Sequence, residues 1–134
     1  GVAEVEGMMR GEAGALRGTI GYMSPEAVLG QPVDHRTDLF GVGVVLWELL
    51  TNMRLFNGGS EFELMQGVRA CRVPNVQSIN AEVPDMLAAI VRKALQADRG
   101  YRFHSAAEFI RSLELVARRY RWPVTVDAIK PMLQ

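Results

Sequence analysis

The stretch "LFGVGVVLWELL", residues 39–50, constrains the fold more than any other part of the chain. Its apolar side chains cover nearly every face of a helix, and a helix that is apolar all round must be buried all round. Its 12 residues include one acid and fall well short of the roughly 20 needed to span a bilayer, so it reads as a buried central helix. Gly41 and Gly43 lie inside it, and each costs a helix interior about 1 kcal/mol relative to alanine. That cost predicts close backbone packing on their face. Asp34, Thr37 and Asp38 can each cap the free N–H groups of the first turn, and the sequence does not choose among them.

Other elements follow from their own signals. "SEFE", residues 60–63, is a capping box that opens a helix running to about Ala70. "RVPNVQSINAEVP" then reads as a loop. Pro84 suits the first turn of a helix in which Leu87, Ile90, Val91, Ala94 and Leu95 form one stripe. A second capping box, "SAAE" at residues 105–108, opens the last long helix, with Ala106, Phe109, Ile110, Leu113, Val116 and Tyr120 expected on its inner face. Pro123 ends that helix at the latest. A short helix is expected over residues 25–29, and residues 1–18, with five glycines, read as a loop. No alternating strand pattern, repeat or low-complexity tract stands out. The expected fold is all-α, with four substantial helices behind a glycine-rich entry loop.

A chain of 134 residues that is 49% hydrophobic and 22% charged can bury a core within one domain. Fifteen basic and fifteen acidic side chains cancel, which argues against nucleic acid or an anionic membrane surface as a partner. The one cysteine, Cys71, cannot form an internal disulfide and points to a reducing, cytoplasmic compartment. No cluster of His, Cys or carboxylates has metal-ligand spacing, so no metal site is expected, and Cys71, His35 and His104 are assigned no chemistry. The chain opens without Met and without a basic-then-apolar leader, and is read as processed or as a piece of something longer.

Taken in order, "GTIGYMSPE" (18–26), "DLFGVGVVLWELL" (38–50) and "ALQADRGYRFHSAAEFIRSL" (94–113) resemble successive signatures of the large lobe of a Ser/Thr protein kinase, especially the bacterial kinases of eukaryotic type. Ser24-Pro25-Glu26 stands where that family carries Ala-Pro-Glu. The resemblance spans roughly residues 1–119. It implies the helical C-terminal lobe portion of the α+β kinase fold. Residues 1–26 would be the activation segment and substrate loop, 27–122 the helical scaffold, and 123–134 a tail or linker.

The resemblance also implies roles. Gly18, Thr19, Ile20, Gly21 and Tyr22 would form the subsite for a protein substrate, and the Thr19 hydroxyl would support the family's catalytic aspartate and lysine. Glu26 would pair with Arg102 at the base of that loop, and Asp38 would accept hydrogen bonds from the backbone of the catalytic loop. Phe40 and Trp47 are expected in the core. ATP and Mg2+ are implied for the whole kinase, yet "GxGxxGxV", "VAIK", "HRDLxxxN" and "DFG" do not occur in this chain. Gly1 resembles the last letter of the last of these.

It follows from the resemblance that the rest of the kinase would lie upstream as a partner. This chain alone would bind no cofactor and transfer no phosphate. A lobe without those upstream parts is expected to expose apolar surface around residues 39–50 and self-associate.

Two departures from the family pattern stand out. Asp98-Arg99 replaces the usual Asp-Pro, and residues 1–18 hold no Ser, Thr or Tyr for an activating phosphorylation, leaving Glu12 as a candidate permanent charge. An alternative expectation is a noncatalytic, kinase-derived module that uses the same helices to bind a partner protein.

Overall fold

The chain's computed structural model describes residues 20–120. Six helices run in order: α1 (Pro25–Val28), α2 (His35–Thr51), α3 (Glu61–Ala70), α4 (Val76–Ile79), α5 (Asp85–Ala94) and α6 (Ala106–Tyr120). Single 3-10 turns occupy Ile20–Tyr22 and Arg99–Tyr101, and no strand occurs among the described residues. The architecture is all-α.

Helix α2 is the axis of the core. Phe40, Val44, Val45 and Leu46 are at most 1% exposed, and Leu39, Val42, Trp47 and Leu50 are also buried. The elements of this chain therefore cover the 39–50 run, and the expectation that it would lie open at the surface is not met. Helix α5 packs on one side of α2, α4 and the first 3-10 turn pack elsewhere along it, and α6 lies against α5. The close packing predicted from the two glycines is present. A Cβ on Gly43 would lie 2.9 Å from the Ala94 Cβ and 3.0 Å from the Leu95 Cδ2, both belonging to the α5 end. Only a residue without a side chain lets α2 and α5 approach this closely.

The caps explain where the helices start. Asp34 is the cap of α2, its side chain accepting from the Arg36 N–H at 2.9 Å. Ser60 and Ser105 accept from the N–H groups of Glu63 and Glu108, each at 3.1 Å, as the two capping boxes require. The Glu63 carboxylate reaches back to the Gly59 N–H rather than to that of Ser60. Helix α2 stops where Asn52 takes a left-handed backbone, a conformation that asparagine tolerates well.

Three expectations need correction. The loop after α3 contains the four-residue helix α4, capped by the Asn75 side chain on the Gln77 N–H. Pro84 sits just outside α5 with an extended backbone, so Asp85 is the first helical residue. Tyr120, in the last described turn of α6, is 40% exposed, whereas Phe109, Leu113 and Val116 are buried as expected. The last turn of α6 runs past the core that its earlier turns cover.

Candidate functional site

The stretch from the first 3-10 turn to α1 is built by its own residues. Ser24 caps α1 by accepting from the Ala27 N–H at 3.3 Å, and Pro25 occupies the first helical position, where its missing N–H costs nothing. This places Glu26 in the first turn, favoured there by the positive end of the helix, and turns its side chain into the protein at 6% exposure.

Arg102, fully buried, meets it. Its Nη1 donates to Glu26 Oε2 at 2.6 Å and its Nη2 to Oε1 at 2.8 Å. Its other three N–H groups donate to backbone carbonyls: Nε to Gln96 at 2.7 Å, Nη1 to Arg36 at 3.3 Å, and Nη2 to Ala97 at 3.1 Å. All five guanidinium donors are therefore satisfied, which is what burying this group demands. The guanidinium also lies 4.8 Å from the centroid of the Phe40 ring. Thr37 donates its hydroxyl to Glu26 Oε2 at 2.9 Å. Burial works to raise the Glu26 pKa, but the hydrogen bonds and charge of Arg102, helped by a backbone N–H and Thr37, outweigh it and hold the carboxyl at about 2.

A second anchor holds the 3-10 turn. The Tyr22 hydroxyl donates to Glu48 Oε1 at 2.7 Å, while Glu48 Oε2 accepts from the Leu55 N–H at 3.0 Å. Glu48 thus ties the turn at Ile20–Tyr22 to the end of α2 and to the loop behind it. Gly41 permits the approach, since a Cβ there would sit 3.1 Å from the Tyr22 carbonyl oxygen. Gly21 is buried and Ile20 packs partly buried against the core. Gly18 and Thr19 lie outside the described residues.

Asp38 lies exposed in the first turn of α2, and its carboxylate makes no hydrogen bond among the described residues. Asp34 instead binds Arg36 with its side chain at 2.7 Å, and the hydrogen bond from Arg36 holds its carboxyl down at about 2. Arg99, one of the departures from the family pattern noted in the sequence, donates to the Pro32 carbonyl at 2.8 Å and lies 3.8 Å from Asp34. His35 contacts the His104 carbonyl through its ring, so the two histidines are neighbours. Phe40 and Trp47 lie in the core, the Trp47 indole N–H donating to the Pro74 carbonyl at 2.9 Å.

Glu48 is the functional candidate that the sequence reading passed over. Its signal was present, as the single acid in a run otherwise too apolar to face water.

A family model of the protein kinase domain matches residues 3–113. The chain belongs to the protein kinase family. It is 38% identical over 103 residues to the serine/threonine-protein kinase PknD of Protochlamydia amoebophila, covering 75% of this chain and 10% of that protein. It is 30% identical over 115 residues to the tyrosine-protein kinase MasK of Myxococcus xanthus, covering 85% of this chain and 18% of that one. Among solved structures it superposes on the twitchin kinase region from C. elegans with a TM-score of 0.61 at 28% identity, over 70% of this chain and 16% of that one. The chain thus spans between a tenth and a fifth of the length of these relatives.

Within a protein kinase, the described helices correspond to the helical lobe. No three His, Cys, Asp or Glu side chains converge among the described residues, and no Asp or Glu lines the cavity beside α5. No described helix is long and apolar enough to cross a membrane.

Proposed function

We propose that this chain is the C-terminal part of the catalytic domain of a Ser/Thr protein kinase of the bacterial eukaryotic type, contributing the substrate loop at residues 18–22 and its helical scaffold. The observation that carries the reading is the double anchoring of one short segment. Glu26 is clamped by Arg102 from below, and Tyr22 is held by Glu48 from the side. Phosphoryl transfer depends on positioning the acceptor hydroxyl, so a substrate loop has to be rigid at its base. A loop pinned at two buried or partly buried points four residues apart in sequence meets that need.

In this reading Thr19 supports the catalytic aspartate and lysine supplied by the rest of the kinase, which favours Ser/Thr over Tyr as acceptor. Ile20, Gly21 and Tyr22 shape the subsite beside the acceptor. Asp38, exposed and without a hydrogen bond among the described residues, accepts from the backbone of the catalytic loop once that loop is present. ATP and Mg2+ are bound by the remainder of the kinase, and residues 1–134 alone do not transfer phosphate. The partner is a protein substrate in the cytoplasm, and neither nucleic acid nor lipid is required.

The test is steady-state peptide phosphorylation by the full-length gene product with Thr19→Ala and Thr19→Ser. The account expects Thr19→Ala to lower kcat strongly and Thr19→Ser, which keeps the hydroxyl, to retain most of it. Equal loss in both variants would contradict the role given to the hydroxyl. A full-length product that phosphorylates nothing but binds a partner through these helices would support the noncatalytic module instead.

A further inference from the structure

A half-open cavity of about 320 Å³ lies between the end of α3, the segment leading into α4, and α5. None of residues 20–26 lines it, and of its lining residues Gln96 and Ala97 touch the site described above through the carbonyls that receive Arg102. Val73, Val76, Ala88, Val91 and Leu95 form its apolar wall. Its polar lining includes one cation, Arg92, and no acid. Arg92 is exposed, and its guanidinium forms no hydrogen bond or ion pair with the described residues. The volume falls within the range of small-molecule sites, which are apolar with a few placed polar groups.

We propose that this cavity binds a small apolar carboxylate, with the chain or ring against Val76, Val91 and Leu95 and the carboxylate on Arg92. Charge complementarity selects the head group. An exposed arginine in the lining of a cavity that no acid lines favours an anion and disfavours an amine of the same shape. The size selects the body, about ten heavy atoms, as in a medium-chain acid. The far edge of the cavity adjoins the main machinery. Gln96 and Ala97 line it, and their carbonyls are the ones that receive Arg102. An occupant therefore braces the turn that holds the buried ion pair.

The cavity carries its own reporter, because Cys71 lines it with its sulfur 3.5 Å from the Leu95 carbonyl. The experiment measures alkylation of Cys71 by N-ethylmaleimide in the full-length protein, followed by peptide mass mapping, with sodium octanoate, octanol or octylamine added. Octanoate at about ten times its Kd is expected to slow alkylation about tenfold, in a saturable manner. Octanol should protect less and octylamine least, and Arg92→Glu should erase the preference for the acid. Unchanged alkylation in octanoate, or equal protection by octylamine, overturns the proposal. The readout is independent of phosphoryl transfer, so its failure leaves the kinase reading untouched and the reverse also holds.

Discussion

Arg102 and Glu26, 76 residues apart in the chain, form a bidentate ion pair in which the arginine side chain is fully buried. The pair joins helix α1, just after the 3-10 turn at Ile20–Tyr22, to the turn before α6. It also draws in the carbonyls of Arg36, Gln96 and Ala97, so three separate stretches of chain converge on one guanidinium.

Removing one partner of such a pair leaves a buried charge without compensation. Arg102→Ala is expected to destabilise the fold by about 3–5 kcal/mol, and Arg102→Lys by a substantial part of that, because lysine cannot supply the planar fork. Thermal and urea unfolding measure this. An unchanged melting temperature in Arg102→Ala would show that the pair does not hold the fold together.

The depressed Glu26 carboxyl makes stability depend on pH. Its folded pKa of about 2 lies below the ordinary value of 4.5. Its contribution is therefore fully present above about pH 5 and is lost as pH falls through 4.5 towards 2, amounting to about 3 kcal/mol. Urea unfolding midpoints at pH 7, 4 and 3 should fall accordingly. Glu26→Gln should start lower and decline less over that window, and a parallel decline in both proteins would contradict the assignment.

Opposite outcomes are expected at two helical glycines. Replacing glycine by alanine inside a helix gains about 1 kcal/mol in propensity. At Gly43 the new methyl would lie 2.9 Å from the Ala94 Cβ, and overpacking typically costs about 1–3 kcal/mol, so Gly43→Ala should be destabilised on balance. At Gly67 in α3 nothing lies within 4 Å of the added carbon, so Gly67→Ala should be stabilised by a few tenths to about 1 kcal/mol. Differential unfolding of the two variants checks the packing of α2 on α5.

The Tyr22–Glu48 hydrogen bond should act on substrate rather than on the fold. Removing a neutral donor to a charged acceptor costs about 1.5–3 kcal/mol at most, part of it recovered by water. Tyr22→Phe and Glu48→Gln in the full-length protein are expected to raise the peptide KM several-fold while leaving the melting temperature within a few degrees. Wild-type peptide kinetics in both variants would remove this anchor from the account.

Much of the fold could be read in the sequence because its signals are local. The apolar run that became α2, the two serine capping boxes and the 87–95 stripe each lie within one helix length. Helix α4 escaped because four residues between Pro74 and Asn80 are too few to show a period, and the Asn75 cap resembles any turn residue. The site was less legible. Nothing within either local stretch points Glu26 at Arg102, and their pairing came from the kinase resemblance alone. Glu48 looked like an interruption of an apolar run, and its partner Tyr22 lies 26 residues earlier. The choice of Asp34 over Thr37 and Asp38 as the α2 cap needed the backbone, since all three have the right chemistry. Thr37 turned out to serve Glu26 instead.

The most direct test of the central claim compares the full-length gene product with the isolated 134-residue chain in radiolabelled ATP, Mg2+ and a general protein acceptor, followed by phosphoamino-acid analysis. The account predicts phosphoserine and phosphothreonine from the full-length protein and no transfer from the isolated chain. Phosphoryl transfer by residues 1–134 alone, or a full-length product that labels only tyrosine, would contradict it.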